Sequence, residues 1–365
     1  MRTQNTSSHL KVCAIVTEYR YNSHAEMIIG RLFGQFEYQP SIEVASIYVD
    51  QFPSNDLSRG EAEKHNIMIY SSIKEAIHAV GDELAGVLII GEHGQYDRNE
   101  FDQIMYPRRR FIEEALLALD ELKIRVPIFS DKHLSYNMED SIWIYEALKS
   151  RNIPFLGGSS IPLVVHHTGM EAEALHTLEE ILIISFGSTE DYGYHAMEIM
   201  QCLAERRYGG ETGISSVHTT KGDAVWKAMD LAKWPEELML RALDTYMVKQ
   251  MEHPRTRVGD PVLFEIEYKD GLKGYVLQLQ DEVEQWSYAF RNREGVIHAR
   301  LCESGMERPF HHFSMLVSSI EAMIVQNHSS VPLERTFLTT TMINMGMQSL
   351  FDQKRVDASS INTAY

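Results

Sequence analysis

The sequence predicts an α/β domain built on a doubly wound parallel sheet, followed by an α+β domain with an open, largely antiparallel sheet. Short apolar runs alternate with helical periodicity up to residue 156, as βαβ units do. From residue 178 the chain changes to runs in which apolar and polar residues alternate, the pattern of half-buried strands. Two long helical stretches then close the chain of 365 residues.

The first half shows the alternation of strands and helices most clearly. Ser72 and Glu75 form a capping box, so we predict that a helix begins there. The predicted strands are 11–16, 42–49, 67–70, 86–90, 126–129 and 154–156, and the other predicted helices are 23–36, 58–65, 104–122 and 137–151. Such a Rossmann-like sheet binds ligands at the carboxyl ends of its strands.

A cluster of small residues at 157–160 marks the predicted domain boundary. We therefore predict a Rossmann-like N-terminal domain at 10–156, an α+β domain at 157–351 and a polar C-terminal tail at 352–365. Asp270-Gly271 lies between two alternating runs and predicts a hairpin. The predicted strands are 178–186, 213–220, 262–268, 274–279 and 286–291, and the predicted helices are 191–206, 310–326 and 333–351.

The composition excludes several classes of protein. The formal net charge is −18, from 52 acidic residues against 34 Lys and Arg, which argues against a nucleic-acid partner or an anionic membrane. The three cysteines lie far apart, so they predict neither a disulfide framework nor a thiolate metal site. No signal-peptide core and no membrane-spanning run of apolar residues is evident. We therefore expect a cytoplasmic protein.

The loop after the first strand, residues 17–24, contains no glycine. A dinucleotide site would place G-x-G-x-x-G here, so that the backbone can approach a pyrophosphate. Glu18 would also repel phosphate. One interpretation is that the loop binds another ligand, with Arg20 or His24 reaching the cleft, and the other is a tight surface connection.

Acidic side chains follow two further strands. Asp50 lies after the second strand, where such folds place an acid for a ribose hydroxyl, although a plain loop aspartate explains it equally well. Glu92 and His93 follow the strand at 86–90. A Glu-His pair in a cleft suits metal ligation or proton transfer, and the alternative is a polar turn.

Basic residues cluster at the start of the next helix, in Tyr106-Pro107-Arg108-Arg109-Arg110. A helix N-terminus favours anions, and guanidinium groups bind phosphates, carboxylates and sugar hydroxyls. The cluster therefore predicts an anion pocket, unless it is a solvated charge run or an interface.

Two segments carry the strongest chemical signal. Lys132 lies between Asp131 and His133 at the end of the strand at 126–129, where it suits proton donation or stabilisation of an oxyanion. Asp191 and His195 are four residues apart, so a helix would place them on one face. We expect the carboxylate to fix the tautomer of the imidazole, and the pair could move a proton, hold a metal or only stabilise a helix end.

The order of these segments resembles the glucose-fructose oxidoreductase / inositol dehydrogenase (Gfo/Idh/MocA) family over roughly residues 10–350. In that family a strand ends in a Glu/Asp-Lys-Pro segment, and a helix and a short strand follow; residues 131–133, the helix to Arg151 and residues 153–158 match this order. The family then carries an Asp-x-Gly-x-His-x-x-Asp-like segment, which residues 191–198 match with Glu198 in the last position.

The resemblance implies a catalytic lysine at Lys132, a sugar-contacting acid at Asp191 and a general acid/base at His195, with hydride passing between a sugar or polyol and NAD or NADP. It also implies a homodimer or homotetramer. The residues expected to bind cofactor are Thr17, Glu18, Arg20, Asp50, Glu92 and Asp131. Those expected to bind substrate are His93, Tyr106, Arg108, Arg109, His133, Ser159 and Glu198.

Two departures from the family pattern leave other functions open. His133 replaces the usual proline, and the phosphate-binding glycines are absent. One alternative is a non-redox carbohydrate hydrolase, lyase or epimerase that has lost dinucleotide binding. It could use a divalent metal held through Glu92, His93, Asp131 or His133. The other alternative is a non-catalytic sensor of a sugar derivative.

Overall fold

The structure is a computed structural model that describes residues 9–167, 172–247 and 252–365. The predicted fold class is confirmed. A six-stranded parallel sheet forms the first lobe, and a seven-stranded, mostly antiparallel sheet forms the second. No helix in the described ranges is long and apolar enough to cross a membrane.

The first sheet has the strand order β3-β2-β1-β4-β5-β6, and all its strands run parallel. Its order reverses between β1 and β4, which is the point where doubly wound sheets open a crevice for ligands. The strands are β1 (Leu10–Val16), β2 (Ile42–Val49), β3 (Met68–Tyr70), β4 (Leu84–Ile90), β5 (Ile128–Ser130) and β6 (Phe155–Gly157).

Helices connect these strands, and their ends follow the local sequence. The Ser72 side chain accepts a hydrogen bond from the backbone N–H of Glu75, so the predicted cap is confirmed. The helix predicted from residue 104 begins only at Arg108, because Arg98 and Ile104 form an isolated bridge in the preceding loop. The helices are α1 (His24–Leu32), α2 (Ser58–Lys64), α3 (Ile73–Val80), α4 (Arg108–Leu122) and α5 (Met138–Ser150).

The second sheet has the order β12-β11-β7-β10-β9-β8-β13. The predicted hairpin joins β9 to β10, with Gly271 at a φ of +92°. Residues 356–357, placed by the sequence in a polar tail, pair with β8 as a short strand. The strands are β7 (Leu178–Ser185), β8 (Ile214–Lys221), β9 (Val262–Tyr268), β10 (Lys273–Gln278), β11 (Ser287–Asn292), β12 (Ile297–Leu301) and β13 (Val356–Asp357).

Helices cover both faces of the second sheet and join the two lobes. Trp226 and Leu238, on α9 and α10, pack on the face that also carries Leu182 and Leu277. Phe313, on α11, packs in the core of the first sheet, so the chain returns to its first lobe near its end. The helices are α6 (Ile161–His167), α7 (Ala172–His176), α8 (Thr189–Ala204), α9 (Asp223–Asp230), α10 (Glu236–Leu243), α11 (His311–Gln326) and α12 (Leu333–Asp352).

Candidate active site

Lys132 lies at the contact between the two lobes, two residues after β5. Its side chain is only 5% exposed, and Nζ donates a hydrogen bond to Oε1 of Glu92 at 2.9 Å. The same Nζ lies 3.6 Å from Oδ1 of Asp191, at the start of α8 in the second lobe. The lysine therefore contacts one carboxylate from each lobe.

The charges around Lys132 keep it protonated. Burial favours the neutral amine, but Glu92, Asp191 and Asp131 outweigh burial and raise the pKa of Lys132 above its usual 10.5. Burial likewise opposes ionisation of Glu92, yet Lys132, Arg108 and His24 lower the pKa of that carboxyl to about 2. Both groups are charged at neutral pH.

Arg108 supports this ion pair from α4. Its guanidinium donates to Oε2 of Glu92 and to the backbone carbonyl of Gly91, both at 3.0 Å. A Cβ on Gly91 would lie 2.8 Å from Cγ of Arg108, so the close approach of Arg108 requires glycine. Arg108 therefore fixes Glu92, and its expected contact with substrate stays a prediction.

His195 lies one helical turn after Asp191 on α8 and is held by groups other than that aspartate. Its Nδ1 lies 2.6 Å from Oγ of Ser159, and its ring packs edge-on against Trp286 with centroids 5.2 Å apart. Burial, assisted by the charge of Lys132, holds the pKa of His195 well below 6.5. The imidazole is therefore neutral at neutral pH, the state that a general base requires.

In the described residues Asp191 and His195 each bond to other groups and not to each other. The prediction that Asp191 fixes the tautomer of His195 was therefore wrong. Asp191 lies in the first turn of α8, where it accepts a hydrogen bond from Oγ of Ser188 at 2.9 Å and pairs with Lys132. The hydroxyl of Ser159, not a carboxylate, is the partner of the His195 ring.

A carboxylate–imidazole couple does exist, but both partners come from the first lobe. Nδ1 of His24, the first residue of α1, lies 2.6 Å from Oδ2 of Asp131. Burial opposes the charge of His24, but Asp131 and Glu92 outweigh it and raise the pKa of the imidazole. The pKa of Asp131 falls to about 2, because its interactions with His24 and Lys132 exceed the effect of burial.

Two further histidines lie beside His24. The backbone of His93 has a φ of 70°, and its ring contacts the His24 ring with centroids 5.0 Å apart. Burial lowers the pKa of His93 to about 4. Phe313 contacts His24 at 5.0 Å and His312 at 4.6 Å. Nδ1 of His312 lies 2.8 Å from Oγ of Ser160. No local sequence pattern indicated His312, because the return of α11 to the first lobe is decided by packing between distant segments.

The other residues expected to bind substrate divide into two groups. Tyr106 lies beside the site: its ring is 4.8 Å from the Arg108 guanidinium, and burial together with the charge of Glu92 raises its pKa. Arg109 points away, because it stacks on Trp143 at 3.2 Å and pairs with Glu113. The structure therefore pairs Arg109 within its own helix and does not bring it to Lys132.

His133 and Glu198 are buried and form hydrogen bonds or ion pairs with distant segments of the chain. Nε2 of His133 lies 3.1 Å from Oε1 of Glu190, the residue just before Asp191. Glu198 pairs with Arg335 of α12 at 3.3 Å and accepts the backbone N–H of Ser159 at 3.4 Å. Both side chains position site residues, and the hydrogen bonds described for them are to protein groups.

The loop between β1 and α1 does not fit the pyrophosphate of a dinucleotide. The backbone N–H of Arg20 donates to Oγ of Ser23, and that of Asn22 donates to Oε2 of Glu26 at 2.6 Å. The carboxylate of Glu26 also pairs with Arg308 at 2.8 Å. A phosphate at this loop would need backbone donors, but the Ser23 hydroxyl already accepts the N–H of Arg20, and the Glu26 carboxylate already accepts that of Asn22.

The remaining residues expected to bind cofactor are also paired within the protein. Glu18 forms an ion pair with Arg20, and the hydroxyl of Thr17 donates to the carbonyl of Glu92 at 2.7 Å. Asp50 pairs with Arg110 and accepts hydrogen bonds from the hydroxyls of Tyr48 and Tyr96 at 2.7 and 2.8 Å. The acid expected to bind a ribose hydroxyl thus has three donors from the chain.

The described residues contain no group of three or more His, Cys, Asp or Glu that could hold a metal ion. Glu92 and Asp131, two of the ligands considered, instead form ion pairs with Lys132 and His24. These contacts do not support a metal at Glu92, His93, Asp131 or His133.

Comparison with known proteins shows a likeness of structure alone. No protein-family model matches the sequence, and no curated protein matches it. Myo-inositol dehydrogenase from Lactobacillus casei, solved with NAD(H) and myo-inositol, has 13% identity and a TM-score of 0.65 over 97% of this chain and 98% of that one. GenD2 from gentamicin A biosynthesis, solved with NAD, has 12% identity and a TM-score of 0.64 over 98% of each chain.

An NAD-binding oxidoreductase from Klebsiella pneumoniae is similar as well, with 10% identity and a TM-score of 0.60 over 96% of this chain and 99% of that one. These neighbours are dehydrogenases of the Gfo/Idh/MocA type. The chain therefore has the fold of these dehydrogenases, as the order of its motifs indicated.

Proposed function

We propose that the chain is an enzyme acting on a sugar or polyol. In this proposal His195 removes a proton from a substrate oxygen or carbon, and Lys132 stabilises the negative charge that develops on oxygen. One observation carries this proposal: the Lys132 ammonium pairs with Asp191 of the opposite lobe, one helical turn from a neutral, buried His195. A fixed cation beside a neutral base is the equipment for removing a proton while negative charge develops on oxygen.

Each group has a distinct role in this mechanism. Lys132 stabilises the developing oxyanion, because Glu92 holds its ammonium in place before substrate arrives. The 2.6 Å contact between Nδ1 of His195 and Oγ of Ser159 admits either tautomer; the proposed mechanism uses the one in which Nδ1–H donates to the hydroxyl, so that Nε2 is unprotonated and serves as the base. Asp191 is 32% exposed and is available to accept a substrate hydroxyl.

The substrate class rests on the neighbours and on the donors of the site. The Lactobacillus casei enzyme of the same fold was solved with myo-inositol. Asp191 and Tyr106 suit hydroxyl groups, which both donate and accept hydrogen bonds. A sugar or polyol, or its keto form, fits this set.

The geometry favours non-redox chemistry, such as epimerisation or elimination beside a carbonyl. In the β1–α1 loop the N–H groups of Arg20 and Asn22 are bound to Ser23 and Glu26, so these two donors do not bind a pyrophosphate as the loop stands. A proton-transfer reaction needs only the groups already described.

Nicotinamide-dependent dehydrogenation is the second candidate, because two neighbours of this fold were solved with NAD or NAD(H). For that reaction the loop at 17–24 would have to release the N–H groups of Arg20 and Asn22. The homodimer or homotetramer and the cytoplasmic location stay predictions.

The test is proton exchange in D₂O without added dinucleotide, using a keto-inositol and fructose as probes. We expect NMR to show deuterium entering the carbon beside the carbonyl, and we expect Lys132→Met and His195→Gln to abolish the exchange. If the native enzyme exchanges nothing but reduces NAD with a polyol, dehydrogenation is the function. Stabilisation by a sugar with neither reaction would indicate a sensor.

A further inference from the structure

The couple of His24 and Asp131 has no role in the chemistry proposed above. Nδ1 of His24 is fixed by Asp131 at 2.6 Å, and Nε2 has no hydrogen-bond partner in the described part of the chain. The His24 side chain remains 19% exposed, whereas that of Asp131 is 3% exposed. An imidazole held by a buried carboxylate, with its second nitrogen free, is oriented to transfer a proton.

His24 and His195 belong to opposite lobes. His24 begins α1 on the first sheet, and His195 lies on α8 of the second lobe. Lys132 connects them, because it follows Asp131 directly in the chain and its Nζ lies 3.6 Å from Asp191. The charges of Lys132 and His24 both act on His195, so the three side chains belong to one cluster that spans the two lobes.

We propose that His24 is a second catalytic residue, a general acid that donates a proton from the face of the substrate opposite to His195. Asp131 is its positioning residue. The inference rests on the proposed function and deepens it, because two bases on opposite faces make the reaction an epimerisation beside a carbonyl.

The step balances without another reactant. Nε2 of His195 removes the proton from the carbon beside the carbonyl, and the C–H electron pair forms an enediolate whose oxygen lies at Lys132. Nε2–H of His24 then donates its proton to the other face of that carbon, and the carbonyl forms again. The product is the epimer, and solvent restores the protons of the two imidazoles.

The environments of the two rings support this division. Asp131 and Glu92 favour the charged form of His24, whereas burial and the Lys132 charge favour the neutral form of His195. An acid and a base in one site need environments that separate their pKa values in this direction.

Deuterium exchange with the keto-inositol probe separates the roles, because inversion and exchange are measured in the same NMR spectrum. In native protein we expect inverted product carrying deuterium. In His24→Gln we expect exchange at the His195 face to continue, while inversion falls by about 10²- to 10⁴-fold, the usual contribution of a general acid. His65→Gln is the matched control, because His65 stacks on Phe33 outside the cleft.

Each outcome decides between the proposals. If His24→Gln inverts the probe at the native rate, His24 is not the acid and only this inference fails. If the native protein exchanges neither keto-inositol nor fructose, the proposed function fails and the inference with it. Asp131→Asn is the second variant should His24→Gln not fold: we expect slower inversion with its pH optimum moved to lower pH, and an unchanged profile would overturn the proposal.

Discussion

Nζ of Lys132 lies 3.6 Å from Oδ1 of Asp191, and this ion pair joins the carboxyl edge of the first sheet to the first turn of α8. Because Glu92 holds the same ammonium from the first lobe, the site is made by residues of both lobes. A change at Lys132 therefore affects both the chemistry and the contact between the lobes.

Lys132→Met should lower turnover by about 10²- to 10⁴-fold, because the oxyanion loses its fixed cation. Glu92 keeps Arg108 as a partner, so the variant should fold. Deuterium exchange measures the turnover, and circular dichroism shows whether the variant is folded. Arg109→Met is the control, since Arg109 lies outside the site on Trp143, and near-native exchange in Lys132→Met would remove the lysine from the mechanism.

Ser159→Ala should reduce kcat by roughly five- to tenfold with little change in KM, the loss expected for one orienting hydrogen bond of about 1 kcal/mol. The serine hydroxyl contacts Nδ1 of His195, so its removal leaves the ring free to rotate. Ser160→Ala provides a neighbouring control, because Ser160 contacts His312 instead. An equal effect of both changes would mean that the loop, and not the His195 contact, matters.

Asp131→Asn should lower the pKa of His24 and move the basic limb of the inversion rate to lower pH. Burial alone would lower that pKa; Asp131 and Glu92 raise it, and Lys132 opposes them. Since the folded-state pKa is raised above 6.5, the couple stabilises the fold below the unfolded-state pKa, and this is lost as pH rises through the folded-state pKa. NMR titration of His24 measures the shift, and an unmoved titration would contradict the pairing.

NAD and NADP should leave the melting temperature of the native protein unchanged. A ligand that binds only the folded state must raise the melting temperature, but the loop that would hold a pyrophosphate has the N–H groups of Arg20 and Asn22 bound to Ser23 and Glu26. Differential scanning fluorimetry with each dinucleotide is the measurement. A rise that depends on the concentration of NAD or NADP would favour the dehydrogenase candidate over the non-redox one.

Arg335→Met should destabilise the protein by about 3–5 kcal/mol, the usual effect of leaving one partner of a buried ion pair alone. Its partner Glu198 is buried, and burial, the largest influence, already raises the pKa of Glu198. Denaturant unfolding measures the loss. The matched control is Lys221→Met, which removes an exposed pair with Asp260 and should change the stability by about 0–1 kcal/mol.

Local sequence patterns predicted most of the secondary structure and the fold class. The β-branched runs became the parallel strands, Ser72 caps α3, and Asp270-Gly271 turns the β9–β10 hairpin. These features depend on periodicity, capping and turn conformation over a few residues, so the sequence contains them directly.

Contacts between distant segments were decided only by the tertiary structure. The four-residue spacing of Asp191 and His195 correctly predicted a shared helix, but it could not show that Lys132 and Ser159 would be their partners. The sequence did not predict the contact of His24 with Asp131 either, because the two residues are far apart along the chain. Spacing along one helix is set by local backbone geometry, whereas a partner across the cleft is set by how two lobes pack, and that information is spread over both cores.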